Sequence, residues 1–149
     1  MKIRAYNQKT DEKYVLGTFL HSIRFNGLAV QVMSKAAKTI FMSRAAKDFR
    51  RILEVADTLI AEESVEGMEM PVAWVCMSIH KNHKVLHYCY NDQAFRSLGI
   101  ISNLFKEFAV TKEEEIDCSY WTYNMRKCLK GYKFYYNPFY KNAIVHDAI

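Results

Sequence analysis

The stretch from Val85 to Phe108 limits the folds open to this chain, because its pattern is that of a strand, a loop and a helix. The segment Val85–Tyr90 is short, β-branched and aromatic, as strands are, and Asn91–Asp92 ends it. Apolar residues then recur at the helical spacing i, i+3, i+4 and i+7; they are Ile101, Leu104, Phe105 and Phe108. A strand that enters a helix through a glycine-containing loop leaves several backbone N–H groups unpaired. Those donors and the helix dipole favour an anion such as a phosphate.

The loop in this stretch resembles the phosphate-binding motif of the GNAT family of N-acetyltransferases. That motif reads Arg/Gln-x-x-Gly-x-Gly/Ala, and Arg96 and Gly99 match its first half. Ile101 replaces the last small residue, and Ser97 replaces the glycine often found after the arginine. On this resemblance the chain is a divergent member of the family.

Composition and pattern predict a single α/β domain over residues 1–149, because half of the residues are apolar and no linker or repeat interrupts them. The other predicted strands are Lys2–Tyr6, Thr58–Glu62, Val72–Ile79, Ile116–Trp121 and Phe134–Tyr140. The predicted helices are Asp11–Ile23, capped by Asn7 or Thr10, and a second one capped by Ser43. The segment Leu28–Met42 is compatible with either a short helix or an ordered loop. The segment Glu63–Met70 is expected to be a polar connection. The resemblance implies a GNAT-like mixed, mainly antiparallel sheet of six or seven strands with helices on both faces.

Charge and cysteine usage exclude some classes of protein. No apolar run is long enough to span a bilayer, and a signal-peptide pattern is absent, so a cytoplasmic location is expected. The four cysteines are expected to be reduced and buried. The net charge of +5 has its densest cluster in Lys35–Arg51. We interpret that cluster as a solvated helix face, so nucleic acid is the less favoured partner.

The resemblance implies acetyl-CoA as co-substrate. Its pyrophosphate would be held by the main chain of Arg96, Ser97, Leu98, Gly99, Ile100, Ile101 and Ser102. The backbone N–H of Cys89 would polarise the thioester carbonyl. Asn91 would lie nearer the pantetheine, and Asn124 matches an asparagine that contacts the cofactor. The Cys89 thiol needs no role, since a buried structural cysteine explains it.

Acetyl transfer to a primary amine also needs a base and an acid. His87 is the candidate base, since a period of two puts it on the same face as Val85 and Cys89. The family often has a carboxylate at the position of Val85, so the usual base is absent. A structural role for His87 explains it equally well, and His80, Glu62 or a chain of waters remain open. The segment Asn124–Phe134 resembles the closing motif of the family, which has an asparagine, a helix and a Gly-aromatic pair. Tyr123 and Tyr132 are the tyrosines nearest to this motif, and Tyr123 is the candidate acid.

Two other patterns in the sequence have simpler structural interpretations. The histidines and cysteines of residues 76–89 follow a strand hairpin and match no usual zinc spacing, so no metal is expected. The aromatic residues of 135–140 could stack bases beside Lys133 and Lys141, but completing the core is the preferred interpretation. The expected function is acetyl transfer by direct attack on an amine of a small molecule or a protein. The alternative is a GNAT-fold protein that has lost catalysis and binds a macromolecular partner, and a homodimer stays open.

Overall fold

The computed structural model describes residues 1–80 and 83–139. The strands are β1 (Lys2–Ala5), β2 (Asp57–Val65), β3 (Met68–His80), β4 (His83–Asn91), β5 (Glu115–Cys118) and β6 (Lys133–Tyr136). The helices are α1 (Gln8–Asn26), α2 (Leu28–Gln31), α3 (Lys35–Val55), α4 (Ile100–Glu107) and α5 (Tyr123–Cys128). A short 3-10 turn, Gln93–Phe95, lies between β4 and α4.

The six strands form one mixed sheet in the order of the chain. The pairs from β1 to β4 are antiparallel, whereas β4–β5 and β5–β6 are parallel. This confirms the predicted α/β class and the mainly antiparallel sheet with six strands.

The helices cover both faces of this sheet. On one face, Phe49 of α3 packs against Trp74 of β3, and the Trp74 indole N–H donates to the Thr18 hydroxyl of α1 at 2.9 Å. Met77 is three residues after Trp74 on β3, so its side chain points to the other face of the sheet. There it lines a small cavity together with Phe108, at the end of α4. Within the described residues, no helix has the length and apolarity needed to cross a membrane.

The helical region between β1 and β2 differs from the prediction. Ser43 lies inside α3, and the N-cap is Ser34, whose Oγ accepts the N–H of Ala37 at 3.2 Å. The ambiguous segment Leu28–Met42 therefore comprises α2 and the first turns of α3. Asn7 caps α1 as expected, since its side chain accepts the N–H of Lys9.

The prediction of a polar connection over Glu63–Met70 is wrong. β2 and β3 continue as a hairpin, joined by Glu66 and Gly67 with φ of 50° and 80°. Positive φ at both turn residues matches the twist of paired strands. At the other end of the chain, Tyr136 ends β6, and Tyr140 of the predicted last strand lies outside the described residues.

Candidate functional site

A bulge in β4 is the first element of the site. Cys76 of β3 pairs with Tyr88, but the next residue, Met77, pairs with Leu86, so His87 is an extra residue on β4. A bulge interrupts the alternation of side chains along a strand. The expectation that a strict period of two places His87 with Val85 and Cys89 therefore does not hold at this position.

Immediately after the bulge, β4 and β5 part. β5 pairs with β4 only at Val85 and Leu86, and the Ser119 N–H donates to the Leu86 oxygen at 3.1 Å. β5 ends at Cys118, whereas β4 continues to Asn91. Within the described part of the chain, the last third of β4 thus has a partner strand on its β3 side alone.

The hydrogen-bond ladder shows which main-chain groups face the open side. The Asp92 N–H donates to the Val72 oxygen at 2.8 Å, so this is a hydrogen-bonded antiparallel pair. Along an antiparallel ladder, hydrogen-bonded pairs alternate with pairs that exchange no hydrogen bond, and Cys89 and Asn91 belong to the second kind. Their N–H and C=O groups therefore point away from β3, toward the gap that β5 leaves.

The loop that follows β4 carries a row of unpaired donors. The Arg96 N–H reaches the Gln93 oxygen at 3.4 Å, and the next backbone N–H with a protein acceptor is that of Asn103, bonded to the Gly99 oxygen at 3.1 Å. The N–H groups of residues 97–102 have no acceptor among the described residues. Ser97 and Gly99 have φ of 70° and 72°, and alternation with left-handed residues makes a concave nest of N–H groups.

The large side chain of Ile101 packs into the hydrophobic core and not into the loop. Its side chain is 6% exposed and belongs to the buried face of α4 with Ile100, Leu104 and Phe105. Because this side chain packs with the hydrophobic core, only its backbone N–H contributes to the loop surface. The replacement of the family's small residue is thus compatible with an open loop.

His87, the candidate base, is completely buried. Its Nδ1 lies 2.7 Å from the Ser119 hydroxyl and its Nε2 lies 2.8 Å from the Ser78 hydroxyl. Burial lowers the pKa of His87 to about 3, because the charged imidazolium loses its hydration. The ring is therefore neutral near neutral pH, with both nitrogens occupied, and these surroundings count against direct contact with an amine.

Two other groups near the sheet are also engaged. Glu62, an alternative base, accepts the Arg4 Nε–H at 2.6 Å. Burial raises the pKa of the Cys89 thiol well above its usual range, with Cys128 and Cys118 as neighbours. Cys89 therefore offers its main chain rather than a thiolate.

Tyr123 and Asn124, two of the candidates near the closing motif, lie on α5. Tyr123 is 53% exposed and stacks under Lys127, whose Nζ is 5.2 Å from the ring centroid. Tyr123 and Tyr132 line a cleft on the outer side of α5 that Cys89 does not line. Asn124 is half-buried at the start of α5. Tyr123 therefore lines a cleft to which Cys89, on the open edge of β4, does not contribute.

Tyr14 of α1 was missed by the sequence reasoning. Its ring packs edge-on against Tyr90 of β4, with the centroids 6.3 Å apart, and its buried hydroxyl has no hydrogen-bond partner among the described residues. Within the same residues, the buried Asn91 Oδ1 also lacks a partner. Both orphaned atoms belong to residues at the end of β4 or packed on it, and only the packing could have revealed them. In the described ranges, no three His, Cys, Asp or Glu residues form a metal-like cluster.

Neither a protein-family profile nor a curated protein sequence matches the chain. Solved acetyltransferase structures are similar to it. The ribosomal-protein-alanine N-acetyltransferase from Brucella melitensis biovar Abortus 2308 is 14% identical, with 86% of each chain covered and a TM-score of 0.49. The PaiA N-acetyltransferase from Thermoplasma acidophilum, in complex with coenzyme A, is 13% identical over 73% of this chain and 70% of that chain, with a TM-score of 0.48. A GNAT family acetyltransferase from Staphylococcus aureus Mu50 is 16% identical over 71% of this chain and 61% of its own, with a TM-score of 0.46.

This chain resembles the GNAT acetyltransferases.

Proposed function

We propose that this chain is an N-acetyltransferase that uses acetyl-CoA and a primary amine of a small molecule or a protein. One observation carries the proposal: the unpaired N–H groups of residues 97–102 follow directly on the unpaired edge of β4. An Arg96–Asn91 hydrogen bond of 3.3 Å holds the loop beside that edge. An elongated anionic ligand could therefore bond to both.

The loop would bind the pyrophosphate. Backbone N–H groups at the start of a helix bind phosphate through hydrogen bonds and the helix dipole, whichever side chains they carry. Arg96 adds a positive charge, and Gly99 leaves open space where a side chain would project. Ser97, Leu98, Ile100, Ile101 and Ser102 would contribute their N–H groups, and Asn124 would contact the cofactor from α5.

The open edge of β4 would bind the acyl end of the cofactor. The Cys89 N–H would donate to the thioester oxygen, and the Asn91 main chain would face the pantetheine. An N–H aimed at a developing oxyanion contributes about 2.7–4 kcal/mol in comparable acyl-transfer sites. The amine would attack the carbonyl carbon directly, so that the C–N bond forms as the C–S bond breaks and coenzyme A leaves as the thiol.

Proton transfer requires a base for the amine and an acid for the leaving thiolate. An alkyl amine with a pKa of about 10.4 must lose a proton before it attacks. The assignment of His87 as the base stays a prediction, and it would require relay through Ser119 or Ser78, which bond to its two nitrogens. Tyr123 as the acid also stays a prediction. We add Tyr14, whose buried hydroxyl has no partner among the described residues and would contact the amine or the leaving thiol if ligand binding opens its packing against Tyr90.

Calorimetry with acetyl-CoA, followed by release of free thiol on a panel of amines and peptide N-termini, tests the proposal. We expect a one-to-one complex and turnover on at least one amine. Gly99→Val should weaken binding, because the new side chain would enter the space open to the ligand. Gly17→Val on the exposed face of α1 is the control. Absence of binding at millimolar acetyl-CoA would refute the proposal that this chain is an acetyltransferase.

A second function is favoured by the state of the acid–base groups. His87 is buried and neutral, and Glu62 is held by Arg4. A protein with this fold that has lost catalysis and binds a macromolecular partner would show these features. Binding of acetyl-CoA without turnover on any amine would favour this alternative.

We also propose a homodimer as a form to test, since β6 exposes Tyr135 and Tyr136.

A further inference from the structure

The positive charge of the chain is concentrated near its described C-terminal end. The segment 121–136 contains four cationic residues, Arg126, Lys127, Lys130 and Lys133, and no acidic residue. The whole chain has a net charge of +5. This segment therefore holds most of the excess charge in about a tenth of the sequence.

The fold turns this segment into a cleft. The outer side of α5 and the start of β6 enclose about 770 Å³, which we call the α5–β6 cleft. Arg126, Lys127 and Lys130 line it and are exposed, and none has an ion-pair partner in the part of the chain that the structure describes. Among the residues that the structure describes, those that line the cleft include no acidic side chain. The potential in the cleft is thus positive, and these cations are free to bind an anion.

Aromatic rings line the same cleft. Trp121, Tyr123, Tyr132 and Phe134 all contribute to its wall, and Tyr123 is half exposed. The Lys112 Nζ lies 5.7 Å from the centroid of the Tyr132 ring. Where cations and aromatic rings lie side by side, the cations can bind phosphates while the rings stack bases.

We propose that the α5–β6 cleft binds single-stranded nucleic acid. The cations would contact successive phosphates, and Tyr123 with Trp121 would stack unpaired bases. An acidic peptide would use the cations but leave the ring faces empty, and a duplex would hide its bases. The cleft shares Tyr123, the predicted acid, with the proposed acetyl transfer, but it does not involve the loop of residues 97–102.

The cluster on α3 differs in ways that favour the cleft. There, Arg44, Lys47 and Arg51 are exposed on one helix face and do not line the α5–β6 cleft with its aromatic rings. Arg50 is already paired with Glu12 at 3.2 Å. The α3 cluster therefore provides the matched control for positive charge outside the cleft.

Fluorescence anisotropy of the full chain with a labelled oligouridylate, titrated over a range of salt, tests the site. Three phosphate contacts predict a slope of log K against log salt of about −2. The triple change Arg126→Gln, Lys127→Gln, Lys130→Gln should lower affinity at least about tenfold and flatten the slope. The triple change Arg44→Gln, Lys47→Gln, Arg51→Gln should leave both nearly unchanged.

Stacking is tested separately. Tyr123→Ala should lower affinity by about fivefold or more, since stacking is worth about 1–3 kcal/mol per base. Phe25→Ala is its control, because Phe25 is exposed and lies under Arg24 at 5.5 Å, far along the chain from the cleft. The proposal is overturned by absence of binding, by equal loss in the α3 variant, or by tighter binding of a duplex. Displacement by coenzyme A or by polyglutamate would also overturn it.

Discussion

The side-chain Nε of Arg96 donates a hydrogen bond of 3.3 Å to the main-chain oxygen of Asn91. Asn91 lies on the part of β4 that β5 leaves without a partner, and Arg96 begins the loop of unpaired N–H groups. A side chain from the loop thus satisfies one group of the strand edge. The same contact fixes the loop against β4, so the two halves of the candidate site are held in place before any ligand binds.

Gly99 and Gly17 provide a matched test of the loop conformation. A Cβ at either position would meet nothing within 4 Å, so crowding is absent at both. Gly99 has φ of +72°, which costs a residue with a side chain about 1–2 kcal/mol. We expect Gly99→Ala to lower the free energy of unfolding by about that amount. Gly17→Ala, in the interior of α1, should raise it by about 0.5–1 kcal/mol.

Urea unfolding of both variants measures these changes. The same variants can then be titrated with acetyl-CoA, because the new methyl group at residue 99 would enter the ligand space. Equal stability of Gly99→Ala and the parent chain would show that the loop does not hold a left-handed residue there.

Much of the fold could be predicted because local patterns decide it. The spacing of Val15, Leu16 and Phe19 predicts α1, and all three are buried in the core. The continuous apolar run of β3 predicts a central strand, and β3 lies between β2 and β4. Where pattern and packing agree, the sequence is sufficient.

Other features depend on partners that a sequence does not display. The bulge at His87 exists because β4 carries one more residue than β3 between two paired positions. The two strands of the β2–β3 hairpin reach beyond the core, so Met68 and Glu69 are exposed and read as a loop. The unpartnered hydroxyl of Tyr14 becomes visible only once α1 lies on Tyr90. These are pairing and packing effects over long sequence separations.

The ion cluster around Arg4 should be far more important for stability than the surface pair of Arg50. Arg4 donates to both carboxylate oxygens of Asp11 at 2.6 and 2.8 Å and to Glu62 at 2.6 Å. Asp11 is 3% exposed and Glu62 is 8% exposed, so Arg4→Leu would leave two buried carboxylates unpaired. We expect a loss of about 3–5 kcal/mol. Arg50→Leu breaks an exposed pair with Glu12 and should cost less than about 1 kcal/mol.

Chemical denaturation at neutral pH gives both values. A similar small loss in the two variants would mean that water reaches Asp11 and Glu62 and that the cluster is not desolvated.

Tyr14→Phe should separate stability from turnover. The hydroxyl is buried without a partner, so its removal should leave the free energy of unfolding unchanged or raise it by up to about 1 kcal/mol. If the hydroxyl contacts the substrates, kcat should fall at least about tenfold, since proton transfer by a positioned group contributes that much or more. Tyr6→Phe, in a different cleft beside Arg50, is the control. Unchanged kcat in Tyr14→Phe would remove this residue from the mechanism.

His87 should give the folded chain a stability that declines in mild acid. Its folded pKa is about 3, against 6.5 for an unperturbed histidine, so the unfolded chain binds the extra proton between these values. Stability therefore rises with pH across this window, is fully present above pH 6.5, and falls by up to about 1.4 kcal/mol per pH unit below it. The pKa of Asp11 is lowered by Arg4, so its own contribution is lost only below about its usual value of 3.8.

Urea unfolding between pH 6.5 and pH 3.8 thus isolates the histidine. His87→Gln cannot titrate, yet it can bond to the Ser119 and Ser78 hydroxyls, so its stability should be nearly flat over the same range. Ser119→Ala should cost about 1–3 kcal/mol at neutral pH, because it leaves a buried ring nitrogen unpaired. Parallel profiles for the parent chain and His87→Gln would mean that the imidazole is hydrated and charged in the folded protein. Direct contact between His87 and the amine would then be favoured over proton relay through Ser119 or Ser78.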